Sequence, residues 1–240
     1  CLVDRLDSRA KYIGGHYSSP SLFGKITDLD LVLYVAIHAA SGTEGAFFPH
    51  THYGIFSEVR LNNRRVCEMD IYGAYLGELG IPIGFVSGED IAVKQALEVL
   101  PWAESVVVDK RKEAYTSGEK SIRYLKEGRS LLQRTAQEAV RHASRMQPLI
   151  IPGPLHFEAV FRTRQLADKF NRWKFKQTDK TVEWESENMI DGFDMLNKLT
   201  FIPPQIYPFR RQFAFLLLSY FRIKNTYFAP KPNSEDAAEA

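Results

Sequence analysis

The stretch that most constrains this chain is the apolar run Leu31-Val32-Leu33-Tyr34-Val35-Ala36-Ile37, which has strand length, carries no charge and stops at a histidine. Such a run reads as a buried strand, and Leu29 to Ile37 is expected to be a central strand covered on both faces. A Gly/Ser/Thr-rich loop comes after His38 and reaches Pro49-His50-Thr51-His52. Two short segments, Ile55 to Leu61 and Arg65-Val66, then meet at the polar turn Asn62-Asn63-Arg64 as a hairpin would. Glu68 opens a helix from Met69 to Leu79, which Gly80 stops. Ile81 to Val86 is the next buried strand, Gly88-Glu89-Asp90 leads into a helix from Ile91 to Leu100 closed by Pro101, and Ser105 to Asp109 is a further strand. The alternation of strand and helix predicts an α/β protein with a mixed, mainly parallel sheet and helices on both its faces.

The second half has a different texture. Leu2 to Ser8 is weakly helical, Tyr12 to Gly15 a short strand and Pro20 to Lys25 a loop, but beyond the basic, polar stretch Lys110 to Arg129 the pattern changes. A helix from Ser130 to Met146 ends at Pro148, and Ile150-Ile151-Pro152-Gly153-Pro154 reads as a break. His156 to Phe161 alternates with period two, Thr163 to Asn171 is helical, and Thr181 to Glu185 is another strand. Asn188 to Phe201 forms a helix with Met189, Ile190, Phe193, Leu196 and Leu199 on one side. These signals divide the chain into an α/β core over 1–148, a smaller α+β C-terminal lobe over 149–206 and an extension over 207–240 with a disordered tail.

At 240 residues, with 45% hydrophobic and 25% charged content, the chain can bury a sizeable core. Its 31 basic and 29 acidic residues are intermixed, which leaves no basic footprint for nucleic acid. Ala214 to Phe221 is too short to span a bilayer and reads as a packing or interface helix, so no membrane is expected. Two cysteines, Cys1 and Cys67, exclude a disulfide framework and suit a reducing, cytoplasmic location. A chain that opens at Cys1 reads as a fragment of something longer. The alternative, an N-terminal thiol nucleophile, lacks a glycine-rich context in Leu2 to Arg9.

The candidate chemistry lies between His38 and Glu68, because loops at strand and helix ends are where α/β proteins place it. His38 alone reads as a strand-end histidine, and Glu68 alone as a first-turn carboxylate favoured by the helix dipole. If His50 and His52 lie on a strand they face one side. Asp90 reads as a helix cap, and His16 and His156 carry no motif.

Taken in order, His38-Ala39-Ala40-Ser41-Gly42-Thr43, Pro49-His50-Thr51, Val59 to Asn63, Glu68 and Gly88-Glu89-Asp90 resemble the zinc-dependent D-aminopeptidases of the bacterial dipeptide-transport-operon type. The likeness runs from about Tyr12 to about Pro203, and its closing part is carried by Val182 to Glu185 and Asn188 to Phe193. The resemblance implies a two-zinc aminopeptidase that removes D-configured N-terminal residues from small peptides, assembled as a homo-oligomer with an internal chamber. It also implies that His38 and Glu68 are metal ligands and that His50 is catalytic. Two zinc ions would polarise a peptide carbonyl and acidify a shared water, while His50 would meet the oxyanion or carry the proton.

The family's opening strand carries an Asp-x-Glu ligand pair, with a further ligand histidine after it. By this alignment all three would lie before Cys1, as in an N-terminally truncated member. Tyr72 stands where the family usually has an Asn. The alternative to an enzyme is a non-catalytic remnant or oligomer subunit that keeps the fold without a complete metal site. The hydrophobic side of the 188–201 helix is the expected contributor to the oligomer interface.

Overall fold

The structure is a computed structural model, and it describes residues 6–10, 29–108, 118–170 and 175–199, with the backbone alone over 118–125. Residues 1–18 and 201–240 form one compact unit and residues 19–200 another. In the first, the described residues make a turn in which Ala10 N–H donates to Asp7 O at 2.9 Å and the Arg9 guanidinium meets the Asp7 carboxylate at 2.8 Å. The expected strand at Tyr12 to Gly15, the loop at Pro20 to Lys25, Cys1, His16 and the segment beyond residue 200 lie outside the described residues.

The second unit is a mixed α/β structure. In chain order its elements are β1 (Val32–Ile37), β2 (Phe56–Leu61), β3 (Arg64–Arg65), α1 (Glu68–Glu78), β4 (Ile83–Gly88), α2 (Asp90–Val99), β5 (Glu104–Val107), α3 (Gly118–Arg141), β6 (Leu155–Phe161), α4 (Arg164–Ala167), β7 (Lys176–Thr178), β8 (Thr181–Ser186) and α5 (Met189–Lys198). Among the described residues, β1, β4 and β5 form a parallel sheet in that order, and β3, β2, β6, β8 and β7 form an antiparallel one.

Two expectations are corrected by this arrangement. The first concerns which strand is central. All six residues of β4 are buried, whereas β1 is an edge strand of the described sheet and exposes Leu33 at 38% and Val35 at 68%. An unbroken apolar run does not distinguish an edge from a centre, because both supply the same backbone pattern. The second concerns the two halves of the chain. β2 pairs with β6 across nearly a hundred residues, so the antiparallel sheet is built from the 56–65 hairpin together with the strands of the second half. Pairing partners this far apart leave no periodicity in the sequence that could announce them.

The local signals fared better. Asn62 and Asn63, at φ +50° and +63°, make the two-residue turn of the β2–β3 hairpin, a conformation that asparagine tolerates. β6 alternates buried and half-buried residues along its whole length, as its sequence predicts. α3 begins at Gly118, well before the expected Ser130, since a charged stretch can be helical when one narrow stripe, here Leu132 and Ala139, meets the sheet at Phe85 and Val106.

α5 is capped by Asn188, whose side chain accepts from Asp191 N–H at 2.8 Å. The Glu78 carboxylate at the end of α1 accepts from Met189 N–H and, at 3.0 Å, from Ile190 N–H, which satisfies two more open donors of that helix. Gly192 makes the approach of α5 to the sheet possible, because a Cβ there would stand 2.2 Å from a ring carbon of Phe157. The hydrophobic side of this helix was expected at an oligomer interface. Met189, Phe193, Leu196 and Leu199 are instead fully buried in the chain's own core, with β6, β8 and Tyr75 of α1.

Candidate active site

The site lies at the C-terminal edge of the parallel sheet. Pairing of β1 with β4 shifts register between Val35 and Ile37, and the intervening Ala36 sits at φ +64°. A bulge of this kind bends a strand and re-aims the side chains beyond it, here His38. The loop after it is stitched to its surroundings by side chains that the sequence offered only as small polar residues. Ser41 N–H donates to Thr51 Oγ1 at 3.0 Å, Thr51 N–H to Ser41 Oγ at 2.8 Å, and the Thr51 hydroxyl to Val66 O at 2.9 Å, all of them buried. His50 N–H donates to Ala39 O at 3.0 Å, so the two ends of the loop lie side by side. Gln95 of α2 accepts from Ala40 N–H at 2.8 Å. At Gly42, φ is +77° and a Cβ would come within 2.8 Å of Ser57 O, so glycine is required there on both counts.

This lacing brings the expected residues together. The rings of His38 and His50 have centroids 4.7 Å apart, and His50 Nε2 lies 3.9 Å from Glu68 Oε1. The Phe48 carbonyl can only accept, so the 3.0 Å contact to His50 Nδ1 puts the proton on that nitrogen. With Nδ1 so engaged, Nε2 is the ring nitrogen that faces Glu68. Glu68 comes from the first residue of α1, whose start is fixed by Asp70. That buried carboxylate accepts from Cys67 N–H at 2.8 Å and pairs with Arg64 of the hairpin.

Glu68 Oε1 gathers further partners. The backbone N–H of His52 donates to it at 3.1 Å, and the hydroxyl of Tyr72, one helical turn on, at 3.4 Å. Burial pushes the Glu68 carboxyl up, against the opposing pull of His50, the His52 N–H and Tyr72. Tyr34 of β1 stacks on Tyr72 at 6.1 Å, and both phenols are raised, first by burial and then by the charge of Glu68.

His52 differs from expectation. It is not on a strand but in a turn at φ +63°, and its ring packs edge-on to Tyr53 and Phe193 and contacts the Tyr72 hydroxyl through Nδ1 at 3.2 Å. Burial lowers its pKa to about 4, with Asn197 pulling the other way, so the ring is neutral at neutral pH. Asp90 is also corrected. Glu89 occupies the N-cap position of α2 and Asp90 is its first helical residue, accepting from Ile91 N–H at 2.9 Å. Glu89 is buried and accepts from Phe47 N–H.

Sequence reasoning passed over Tyr34, Phe48 and Glu89. Phe48 is 70% exposed, sits at φ +54° and lies against both rings, with centroids 6.0 Å from His38 and 5.3 Å from His50. The one legible hint was Tyr72, four residues after Glu68 and so on the same helix face. Imidazole and carboxylate are zinc donors in kind. Among the described residues no three His, Cys, Asp or Glu side chains group so as to hold a metal ion.

With the fold and this geometry in place, comparison decides the family. Residues 1–198 match the profile of the D-aminopeptidase family of peptidases. The chain belongs to the D-aminopeptidase family. A relative from Bacillus subtilis (strain 168), a D-aminopeptidase, is 24% identical over 203 residues, spanning 83% of this chain and 73% of the relative. Among solved structures, the Zn-dependent D-aminopeptidase DppA from Bacillus subtilis, a self-compartmentalizing protease, superposes with a TM-score of 0.68 at 21% identity. That match covers 82% of this chain and 72% of DppA, and establishes the shared fold. The family is one of hydrolases acting on peptides. Among the described residues no helix is long and apolar enough to cross a membrane.

Proposed function

We propose that the protein this chain belongs to hydrolyses the N-terminal peptide bond of peptides that begin with a D-amino acid, with His38 and Glu68 contributing donors to a two-zinc centre and His50 as the proton-handling group beside it. The observation that supports this reading is the position of His50 beside both expected donors, with 4.7 Å between its ring and that of His38 and 3.9 Å between its Nε2 and the Glu68 carboxylate. The chemistry that bound zinc supplies is Lewis acidity toward the scissile carbonyl and toward a water. What the chain's own residues supply can be read from their contacts. The Nδ1–H to Phe48 O bond orients the His50 ring and leaves Nε2 to take a proton from the attacking water or, once protonated, to donate to the oxyanion or the leaving amine. Glu68 is held by three neighbours at one oxygen and is therefore fixed in direction.

The D preference is inferred from the family and from the relatives' activity. Assembly into a homo-oligomer is inferred from DppA, described as self-compartmentalizing, and a cytoplasmic setting from the low cysteine content. The test is to load the intact gene product with zinc and compare hydrolysis of D-alanyl and L-alanyl p-nitroanilides, with mass measured by light scattering. Zinc-dependent release from the D substrate in an assembly larger than a monomer is expected. A folded protein that neither retains zinc nor cleaves either substrate would instead be the non-catalytic form of the fold.

A further inference from the structure

Beside the site lies a chain of polar groups that the proposed chemistry does not use. Tyr72 has one hydroxyl proton and two neighbours able to accept it, Glu68 Oε1 at 3.4 Å and His52 Nδ1 at 3.2 Å. Which of them receives it depends on the His52 ring. With its proton on Nε2, Nδ1 competes with Glu68 for the tyrosine hydrogen. With its proton on Nδ1, the ring donates to the Tyr72 oxygen and the tyrosine hydrogen is left to Glu68. The backbone N–H of the same His52 donates to that same Glu68 oxygen at 3.1 Å. Among the described residues every hydrogen bond of Glu68 reaches Oε1, and Oε2 receives none. The ring of Tyr72 has little freedom, with Tyr34 stacked at 6.1 Å and Phe193 edge-on at 5.8 Å. His52, in turn, is held in a left-handed backbone conformation by the bonds it makes.

We infer that Tyr72 and His52 act together as a positioning pair, in which His52 in its Nδ1–H form donates to Tyr72 and Tyr72 donates to Glu68 Oε1, fixing the direction of the carboxylate that would hold a metal. The inference rests on the proposed role of Glu68 as a metal donor. It adds two residues and one tautomer that this role requires, because outer partners of a ligand fix its direction and its basicity.

The experiment uses the full chain labelled with 15N-histidine, with long-range 1H–15N correlation reading the tautomer of each ring and a His52→Gln variant assigning the His52 signals. The wild-type ring is expected as Nδ1–H. An Nε2–H ring would overturn the inference, and this measurement needs no variant that alters Tyr72. In Tyr72→Phe, which keeps the aromatic packing, zinc affinity by competition with a chelating dye is expected to fall about 10- to 100-fold. The His52 signals should at the same time move toward a mixture of tautomers. Wild-type zinc affinity in Tyr72→Phe would overturn the inference, since a residue that only fills space is replaced by Phe without consequence for the metal. Glu68→Gln separates the two levels: if it leaves zinc affinity unchanged, Glu68 is not a donor and the proposed function fails with it. If it abolishes binding while Tyr72→Phe does not weaken it, only the positioning role fails.

Discussion

The two sheets of this protein differ in what they gather, an aromatic core in one and the proposed site in the other. The antiparallel sheet is apolar on its inner face: Phe157 stacks on Trp184 with ring centroids 5.0 Å apart, Phe161 meets Phe56 and Phe170, and α5 closes over them. The C-terminal edge of the parallel sheet is the opposite. The antiparallel sheet confines its left-handed residues, Asn62, Asn63 and Asp179, to hairpin turns, whereas this edge carries Ala36 in a bulged strand and Phe48 and His52 in the loop after it, beside His38, His50 and the Glu68 carboxylate. Strain and half-buried polar groups persist only where the surrounding structure enforces them, and they concentrate where a fold does its work. The antiparallel sheet, together with the Ser41–Thr51 lacing, supplies that enforcement.

This contrast can be broken or sharpened by substitution. His50→Ala should lower kcat/KM on a D-alanyl substrate by about 10²- to 10⁴-fold, the usual contribution of a positioned acid–base group, while denaturant midpoints barely move. A comparable loss of stability in that variant would mean that the edge is structural after all. Phe157→Ala, in the other sheet, should cost about 3–5 kcal/mol of unfolding free energy by urea titration, because a fully buried ring stacked on Trp184 leaves a cavity. Thr51→Val sits between the two regimes. It strips partners from the Ser41 N–H and the Val66 carbonyl, so it should cost about 1–3 kcal/mol and also lower activity by displacing its neighbour His50. Ala36→Gly is the mildest. Relief of a left-handed alanine, offset by the entropy of glycine, should raise stability by no more than about 1 kcal/mol, while activity falls as His38 is held less firmly.

The sequence by itself determined the local elements and the family. The apolar run before His38, the Asn62-Asn63 turn, Gly80 after α1 and the period-two pattern of β6 each read correctly because their causes lie within a few residues. The order of short motifs from His38 to Asp90 likewise carried the family, and it placed His38, His50 and Glu68 on neighbouring ends. Other features depended on contacts between residues far apart in the chain. That β1 is the edge and β4 the centre of the described sheet, and that the hairpin at 56–65 pairs with β6, is decided by pairing energies summed over whole strands. The apolar face of α5 was legible, but whether it covers its own core or another subunit depended on where Phe157 and Trp184 stood. His52 shows the limit most sharply: two residues from His50 in sequence, it sits in a left-handed conformation, and its ring turns to Tyr72 and Phe193 while its N–H reaches Glu68, partners that lie far along the chain.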